Sequence, residues 1–306
     1  MAHESDEAHL SRKEIRELVG RFRVTSGKGF KLKQFGTTNP VPELVEKQRA
    51  PAFLRQGVEQ LSELQDALYA NGTWSLLLVF QAMDAAGKDS TIKHVMTGVN
   101  PQGIAVTSFK QPGPEDLAHD FLWRISRHLP ARGMIGIFNR SHYEEVLVAR
   151  VHPEILDRQK LPPVLNGGKK FWDHRLQDIA GFERHLGRQG TRVLKFFLHV
   201  SPDEQKNRFL DRLTEPDKNW KFSPSDLAER AHWDDYMTAY EDAIAGTATE
   251  DAPWFVVPAD QKWFTRFVVV AAITDALRDL DLSRPAVSDD VRRSFAEARA
   301  ALESGH

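Results

Sequence analysis

The most constraining feature of this 306-residue chain is a near-unbroken apolar run, Trp-Ser-Leu-Leu-Leu-Val-Phe at 74–80. It lies between an Asn-Gly pair at 71–72 and a loop of small residues at 82–87. A strand without polar alternation is covered on both faces, and such strands belong to parallel sheets flanked by helices. Four further segments, 104–109, 133–138, 191–200 and 254–258, also read as strands. Between them lie helical patterns. Leu54, Val58, Leu61, Leu64 and Leu68 recur at helical spacing before the Asn-Gly stop. Leu117, Phe121, Leu122, Ile125 and Leu129 form one stripe of a helix over 115–129. Ser201, Pro202, Asp203 and Glu204 supply an N-cap, a first-turn proline and early acids. Further helices are predicted over about 88–96, 142–150, 171–187 and 262–280, and around Trp233, Tyr236 and Tyr240. Five alternations of strand and helix predict an α/β chain with a five-stranded parallel sheet and helices on both faces.

Around this unit, residues 1–50 read as an N-terminal extension and 283–306 as a charged C-terminal tail, leaving 51–282 as the domain. Within the extension, Lys28, Lys31 and Lys33 alternate with apolar residues around Phe30, Leu32 and Phe35, the pattern of an edge strand.

Composition narrows the function. The 41 basic and 43 acidic residues leave a net charge of −2, which argues against a dedicated nucleic-acid binder. The count of cysteines is 0, removing disulfides, thiol nucleophiles and Cys-based metal sites, and suiting a reducing cytoplasm. A polar, acidic N-terminus does not read as a signal peptide, and the longest apolar run, 267–273, is far shorter than a membrane span. The expectation is a cytoplasmic protein with no nucleic-acid or membrane partner.

The loop Ala-Met-Asp-Ala-Ala-Gly-Lys-Asp at 82–89 has the strand–loop–helix setting of a phosphate-binding loop. Unpaired N–H groups at the helix start attract phosphate, and Lys88 supplies the neutralising cation. Ala82 stands where the usual pattern has glycine, Asp89 where it has a hydroxyl, and Asp84 adds a carboxylate. An ordinary turn with an incidental Gly-Lys pair would read the same way. At the end of the third strand, Asn139 and Arg140 emerge beside that loop, because ligands gather at the carboxyl ends of parallel strands. Asn139 occupies the place of a Mg²⁺-linked acid but brings no charge, so Asp84 carries more of the metal binding. Arg140 could instead serve in a surface ion pair, and Glu144 as a solvated acid.

Arg208, Arg212, Lys218, Lys221 and Arg230, interleaved with Asn219, Trp220 and Trp233, could fold over phosphates as a cationic lid. Asp203, Glu204, Asp211, Glu215 and Asp217 balance them, so on their own they read better as a charged helix pair. Lys110 and Arg124 follow the second strand and are placed to grip an acceptor phosphate, while Lys31, Lys33 and Lys110 are candidates for a basic channel. His119, His142 and His152 have no metal-ligand spacing and read as structural or surface residues.

Seven strings then coincide in order with a known family. The loop at 82–89 is joined by Ser-Phe-Lys-Gln-Pro (108–112), His-Asp-Phe-Leu-Trp-Arg (119–124) and Phe-Asn-Arg-Ser-His-Tyr-Glu-Glu-Val-Leu-Val (138–148). Asn-Trp-Lys-Phe (219–222), Trp-Asp-Asp-Tyr (233–236) and Ala-Pro-Trp-Phe-Val-Val-Pro-Ala-Asp (252–260) complete the set. Over about 54–280 the chain resembles the polyphosphate kinase 2 family, and its Asn-Arg-Ser-x-Tyr-Glu form resembles class III. The resemblance implies a thymidylate-kinase-like P-loop kinase fold, three-layer α/β/α, with a helical lid at about 203–226. It implies reversible transfer of a phosphoryl group from inorganic polyphosphate to AMP and ADP, giving ADP and ATP. Mg²⁺ is the implied cofactor, with Mn²⁺ as the alternative ion, and the implied assembly is a homo-oligomer, dimer or tetramer.

Carried onto this chain, the catalytic group is Asp84, Lys88 and Arg140. Ala85, Ala86, Gly87, Arg208, Arg212 and Lys221 join Lys88 and Arg140 on phosphate or polyphosphate, and Asp84, Asp89 and Asn139 hold the metal. Tyr143 and Glu144 join Lys110 and Arg124 on the nucleotide, with Glu144 the residue that admits AMP. Two rivals remain at this point: an ATP-dependent nucleoside monophosphate kinase, and a non-catalytic sensor of polyphosphate or nucleotide, which would not need Lys88 and Arg140.

Overall fold

A computed structural model describes residues 10–165 and 168–304; the first nine residues of the N-terminal extension, 166–167 in the polar stretch after Pro153, and the last two of the tail lie outside it. The chain opens with α1 (Arg12–Gly20), β1 (Arg23–Val24) and the long α2 (Ala50–Asn71). The first half of the domain continues through β2 (Ser75–Gln81), α3 (Lys88–Val95), β3 (Ile104–Ser108), α4 (Pro114–Leu117), α5 (Trp123–Ser126) and β4 (Ile135–Asn139). After α6 (Val148–Val151) and α7 (Gly168–Arg188) come β5 (Thr191–His199), α8 (Pro202–Thr214), α9 (Pro224–Ala231) and α10 (Trp233–Thr247). β6 (Trp254–Pro258), α11 (Lys262–Arg278) and α12 (Asp289–Glu303) close it.

The five expected strands form one parallel sheet, to which the chain adds a sixth. The order is β1-β6-β5-β2-β4-β3, with β1 antiparallel to β6 through Arg23–Phe255 and Val24–Trp254. Helices α1, α2, α3 and α11 pack together on one face, and α6, α7 and α10 on the other. At the centre, Leu76 through Phe80 of β2 are fully buried, as the unalternating run requires. The rings of Phe80, Phe196 and Phe255 stack across β2, β5 and β6 at 5.0 and 5.3 Å. Register pairs Phe80 with Asn139, so β2 and β4 end level and deliver their loops side by side.

Four local readings need correction. The edge strand is Arg23–Val24, not the basic stretch, where Leu32–Gln34 makes a 3₁₀ turn and Lys31 pairs with Glu241 at 2.8 Å. The described part of the extension is joined to the domain: Leu18, Phe22, Val24, Leu32, Val41 and Val45 enter the core, and Arg16 pairs with Asp275 of α11 and with Asp279 at its C-cap. The helix over 115–129 divides into α4 and α5, because the Asp120 carboxylate takes the Leu122 N–H and restarts the chain there. The helix over 142–150 likewise divides, into a 3₁₀ turn at His142–Glu145 and α6, and the charged tail carries α12, capped by Ser288 and exposed along its length. Among the described residues no helix is long and apolar enough to cross a membrane.

Candidate active site

The loop after β2 turns by placing Ala85 (φ 59°) and Gly87 (φ 103°) in left-handed backbone. Glycine adopts it freely, whereas at Ala85 it costs about 1–2 kcal/mol. Gly87 caps α3, so the first N–H groups of that helix lack helical partners and face the loop. The Lys88 ammonium curls back onto the carbonyls of Ala82 (2.7 Å) and Met83 (3.5 Å). Burial lowers its pKa, against the opposing pull of Asp84 and Glu144.

From behind, α8 holds the loop. Arg208 donates from Nη1 to the carbonyls of Ala85 (3.1 Å) and Ala86 (2.7 Å), from Nη2 to Ala259 (2.6 Å) and Asp260 (3.2 Å), and from Nε to Glu204 (2.7 Å). One helix turn earlier Gln205 donates to the Asp84 carbonyl at 2.9 Å, itself fixed by Arg230 at 2.6 Å.

The loop after β4 is also bent by a left-handed non-glycine residue, Arg140 at φ 62°. Its N–H reaches the Phe80 carbonyl of the neighbouring strand at 3.1 Å, and its Nη2 reaches Asp84 at 3.2 Å. Desolvation works against the guanidinium charge, but Glu144 and Asp84 outweigh it and raise its pKa. Burial raises the pKa of Glu144, partly offset by Arg140 and Lys88. Beneath this loop lies a sealed polar cluster. Tyr143 donates its hydroxyl to Glu183 (2.8 Å), and Lys195 donates to Glu183 and to the Thr247 carbonyl (2.8 Å). His142 sits 3.3 Å from the same carboxylate. Burial alone would raise the pKa of Glu183, yet Lys195 and His142 hold it below the ordinary value.

Two cavities open above these loops. The first, about 540 Å³, is walled by the loop from Met83 to Ser90 and by Asn139, Arg140, Lys110, Arg212 and Lys221. The second, about 250 Å³, is mainly apolar, with Phe109, Leu117, Phe121, Ile125, Val148 and Ile155 beside Glu144 and Glu145. They share Phe109, Lys110, Gln111 and Arg140.

Most of the residues singled out in the sequence meet here. Ala85, Ala86, Gly87, Lys88, Arg140, Arg212 and Lys221 line the larger cavity, with Asp84, Asp89 and Asn139; Lys110 lines both, and Arg124 and Glu144 the smaller. Arg124 supports the wall, donating to the Lys110 carbonyl at 2.8 Å and lying over the Phe109 ring.

Three expectations fall elsewhere. Arg208 is buried and spends its donors on carbonyls and Glu204, so it shapes the loop and does not line the cavity. Tyr143 is fully buried in the Glu183 cluster, away from either cavity surface. Lys31 is tied to Glu241 and Lys33 lines a separate cavity with His199 and Trp233. Sequence reading missed Gln205, although its spacing of three and seven residues from Arg208 and Arg212 puts all three on one helix face. It also missed Glu183 and Lys195; a lone lysine within Val-Leu-Lys-Phe-Phe-Leu at 193–198 was the available signal.

A divalent cation fits this donor set. Asp84 and Asp89 offer hard carboxylate oxygens, and the Asn139 amide N–H₂ is turned to Asp89, leaving its carbonyl oxygen as an acceptor. Among the described residues no three His, Cys, Asp or Glu converge as a metal cage.

The family model described as Polyphosphate kinase 2 (PPK2) matches residues 45–285. The ADP-polyphosphate phosphotransferase of Rhodopseudomonas palustris is 49% identical over 282 residues, 92% of this chain and 97% of that protein. The AMP/ADP-polyphosphate phosphotransferase of Meiothermus ruber is 43% identical over 265 residues, 87% of this chain and 95% of that protein. Among solved structures, Polyphosphate Kinase 2 from Arthrobacter aurescens TC1 superposes with a TM-score of 0.83 at 41% identity, covering 95% of this chain and 97% of the other.

Proposed function

The chain belongs to the polyphosphate kinase 2 family, and from that premise we propose how its two cavities divide the reaction. It is a P-loop kinase that phosphorylates nucleotides from polyphosphate. The terminal phosphates of inorganic polyphosphate occupy the larger, cation-lined cavity, and AMP or ADP occupies the smaller, apolar one. The observation that carries this reading is that Arg140 and Lys110 line both, so the two substrates meet at their side chains.

An oxygen of the acceptor's last phosphate attacks the terminal phosphorus of the polyphosphate. The bond to the next phosphate breaks, and the shortened chain leaves with the electron pair; no proton need move. The protein's task is alignment and charge stabilisation. Lys88 exchanges the Ala82 carbonyl for a phosphate oxygen, and Arg140 stabilises the charge on the moving group. The backbone of Ala85, Ala86 and Gly87 cradles the donor, with Arg212 and Lys221 along its more distant phosphates. Asp84, Asp89 and Asn139 would hold Mg²⁺, or Mn²⁺ in its place, whose charge neutralises phosphate oxygens. Arg208 and Gln205 keep the loop in shape. Glu144, beside Arg140 at the meeting point, sets whether AMP is accepted as well as ADP. The relative at 49% identity is named for ADP alone and that at 43% for both.

We place the reaction in the cytoplasm, in a homo-oligomer whose size light scattering would measure. The test of function is purified protein with polyphosphate, Mg²⁺ and AMP or ADP, without ATP, followed by nucleotide chromatography. ADP and then ATP are expected from AMP. Turnover of AMP only when ATP is the donor would support the monophosphate-kinase reading instead, and binding without product the sensor.

A further inference from the structure

We propose that Arg175 of α7 is a positioning residue for the acceptor cavity, fixing the wall that meets the nucleoside end of the substrate. The side chain is 6% exposed and lies behind that wall, lining a small adjoining cavity of about 90 Å³ together with Phe121, Glu145 and Gln159. Its Nη1 donates to Glu145 at 2.6 Å and its Nη2 to the Gln159 carbonyl oxygen, while Gln159 donates to the same Glu145 oxygen at 2.6 Å. The three side chains close a ring of hydrogen bonds. The guanidinium is also held between two aromatic rings, 4.8 Å from Phe121 and 4.7 Å from Phe171.

Two members of this arrangement, Phe121 and Glu145, form part of the acceptor cavity surface. They come from short irregular segments: Phe121 from the connection between α4 and α5, Glu145 from the 3₁₀ turn His142–Glu145, and Gln159 from the turns Pro153–Gln159. Such segments lack a ladder of backbone bonds to hold them, so the shape of the wall rests on what braces it. Arg175 braces all three at once from a 21-residue helix. Lysine could not take its place, because a point charge cannot fork between Glu145 and Gln159 while keeping contact with two rings.

The inference rests on the smaller cavity being the acceptor site, and the experiment separates the two. Arg175→Lys keeps a cation opposite Glu145, so the pair is not left as a single buried charge. Its KM for AMP and ADP should rise by about tenfold, a modest share of what a displacement of about 1 Å can cost, with KM for polyphosphate and kcat at saturating nucleotide changed less than about twofold. Gln159→Leu, which removes one branch of the ring, should move the same constant in the same direction by less. Equal shifts in both KM values, a fall in kcat with both KM values unchanged, or unaltered kinetics in Arg175→Lys would overturn the proposal. So would loss of fold in both variants, since the residue would then serve stability alone. If wild-type protein failed to phosphorylate AMP or ADP from polyphosphate, the assignment of the cavity would fail first; an active wild type with unaltered variants would sink only the role of Arg175.

Discussion

The two cavities meet at Arg140 and Lys110 yet are built in different ways. The larger cavity, proposed for phosphate, is made largely of consecutive residues after a buried strand end, shaped by left-handed backbone at Ala85, Gly87 and Arg140 and gripped from behind by Arg208. The smaller cavity, proposed for the acceptor, is made of side chains from separate segments whose helices, α4, α5 and α6, are four residues each. Phosphate is small, highly charged and the same in every substrate, so a rigid loop of N–H groups and cations can recognise it. A nucleoside is recognised by shape, and shape can be assembled from scattered pieces if something clamps them. On the proposed assignment, affinity for the common group resides in backbone and charge, and discrimination between acceptors in braced side chains.

The comparison breaks if the phosphate half proves dispensable. Lys88→Ala and Arg140→Ala should each lower kcat by roughly 10²–10³-fold while the melting temperature stays near that of the wild type, as expected for groups that stabilise transition-state charge; near-normal turnover in either would remove its assigned role. Chelation of divalent cations should likewise stop transfer, with recovery on adding Mg²⁺. Turnover that persists in excess chelator would contradict the roles of Asp84 and Asp89.

A pH titration sharpens the contrast between the halves. Burial favours the neutral form of Lys88 and lowers its pKa from 10.5, whereas bound polyphosphate favours the ammonium. Donor binding is therefore coupled to proton uptake above the lowered pKa. The KM for polyphosphate should climb by up to about tenfold per pH unit beyond that point, while the KM for nucleotide rises less. Parallel profiles for the two substrates would show that Lys88 does not serve the donor specifically. The smallest effect is expected at the junction. Glu144→Asn should reduce use of AMP relative to ADP by up to about tenfold, and an unchanged ratio would move acceptor choice elsewhere.

The same division explains what could be read from the sequence. Gly87, Lys88, Asn139 and Arg140 announce themselves because each lies at the end of an apolar strand or in the loop that follows one, and local pattern carries both the strand and its loop. The buried place of Arg208 is not legible because its partners are mostly carbonyl oxygens of Ala85, Ala86, Ala259 and Asp260, groups that every residue owns and no side-chain pattern marks. Tyr143 was misplaced because its partner, Glu183, stands forty residues away on another helix. A two-residue strand such as β1 cannot display a period, and the break between α4 and α5 turns on the single Asp120 carboxylate. Phe121 and Glu145 of the acceptor wall fall within recognisable strings, but their bracing by Gln159 and Arg175 joins segments far apart in the chain and no local pattern marks it.

The Glu183–Lys195 pair beneath the Arg140 loop has side chains 1% and 0% exposed, against 27% and 46% for Asp84 and Arg140 above it. Dissolved ions screen the pull of the upper, exposed charges on an incoming polyanion beyond about 8 Å at physiological ionic strength, and to shorter range in concentrated salt, but they do not enter the sealed pair. Concentrated salt should therefore loosen the guest and leave its mould intact, and inactivation in brine should reverse on dilution.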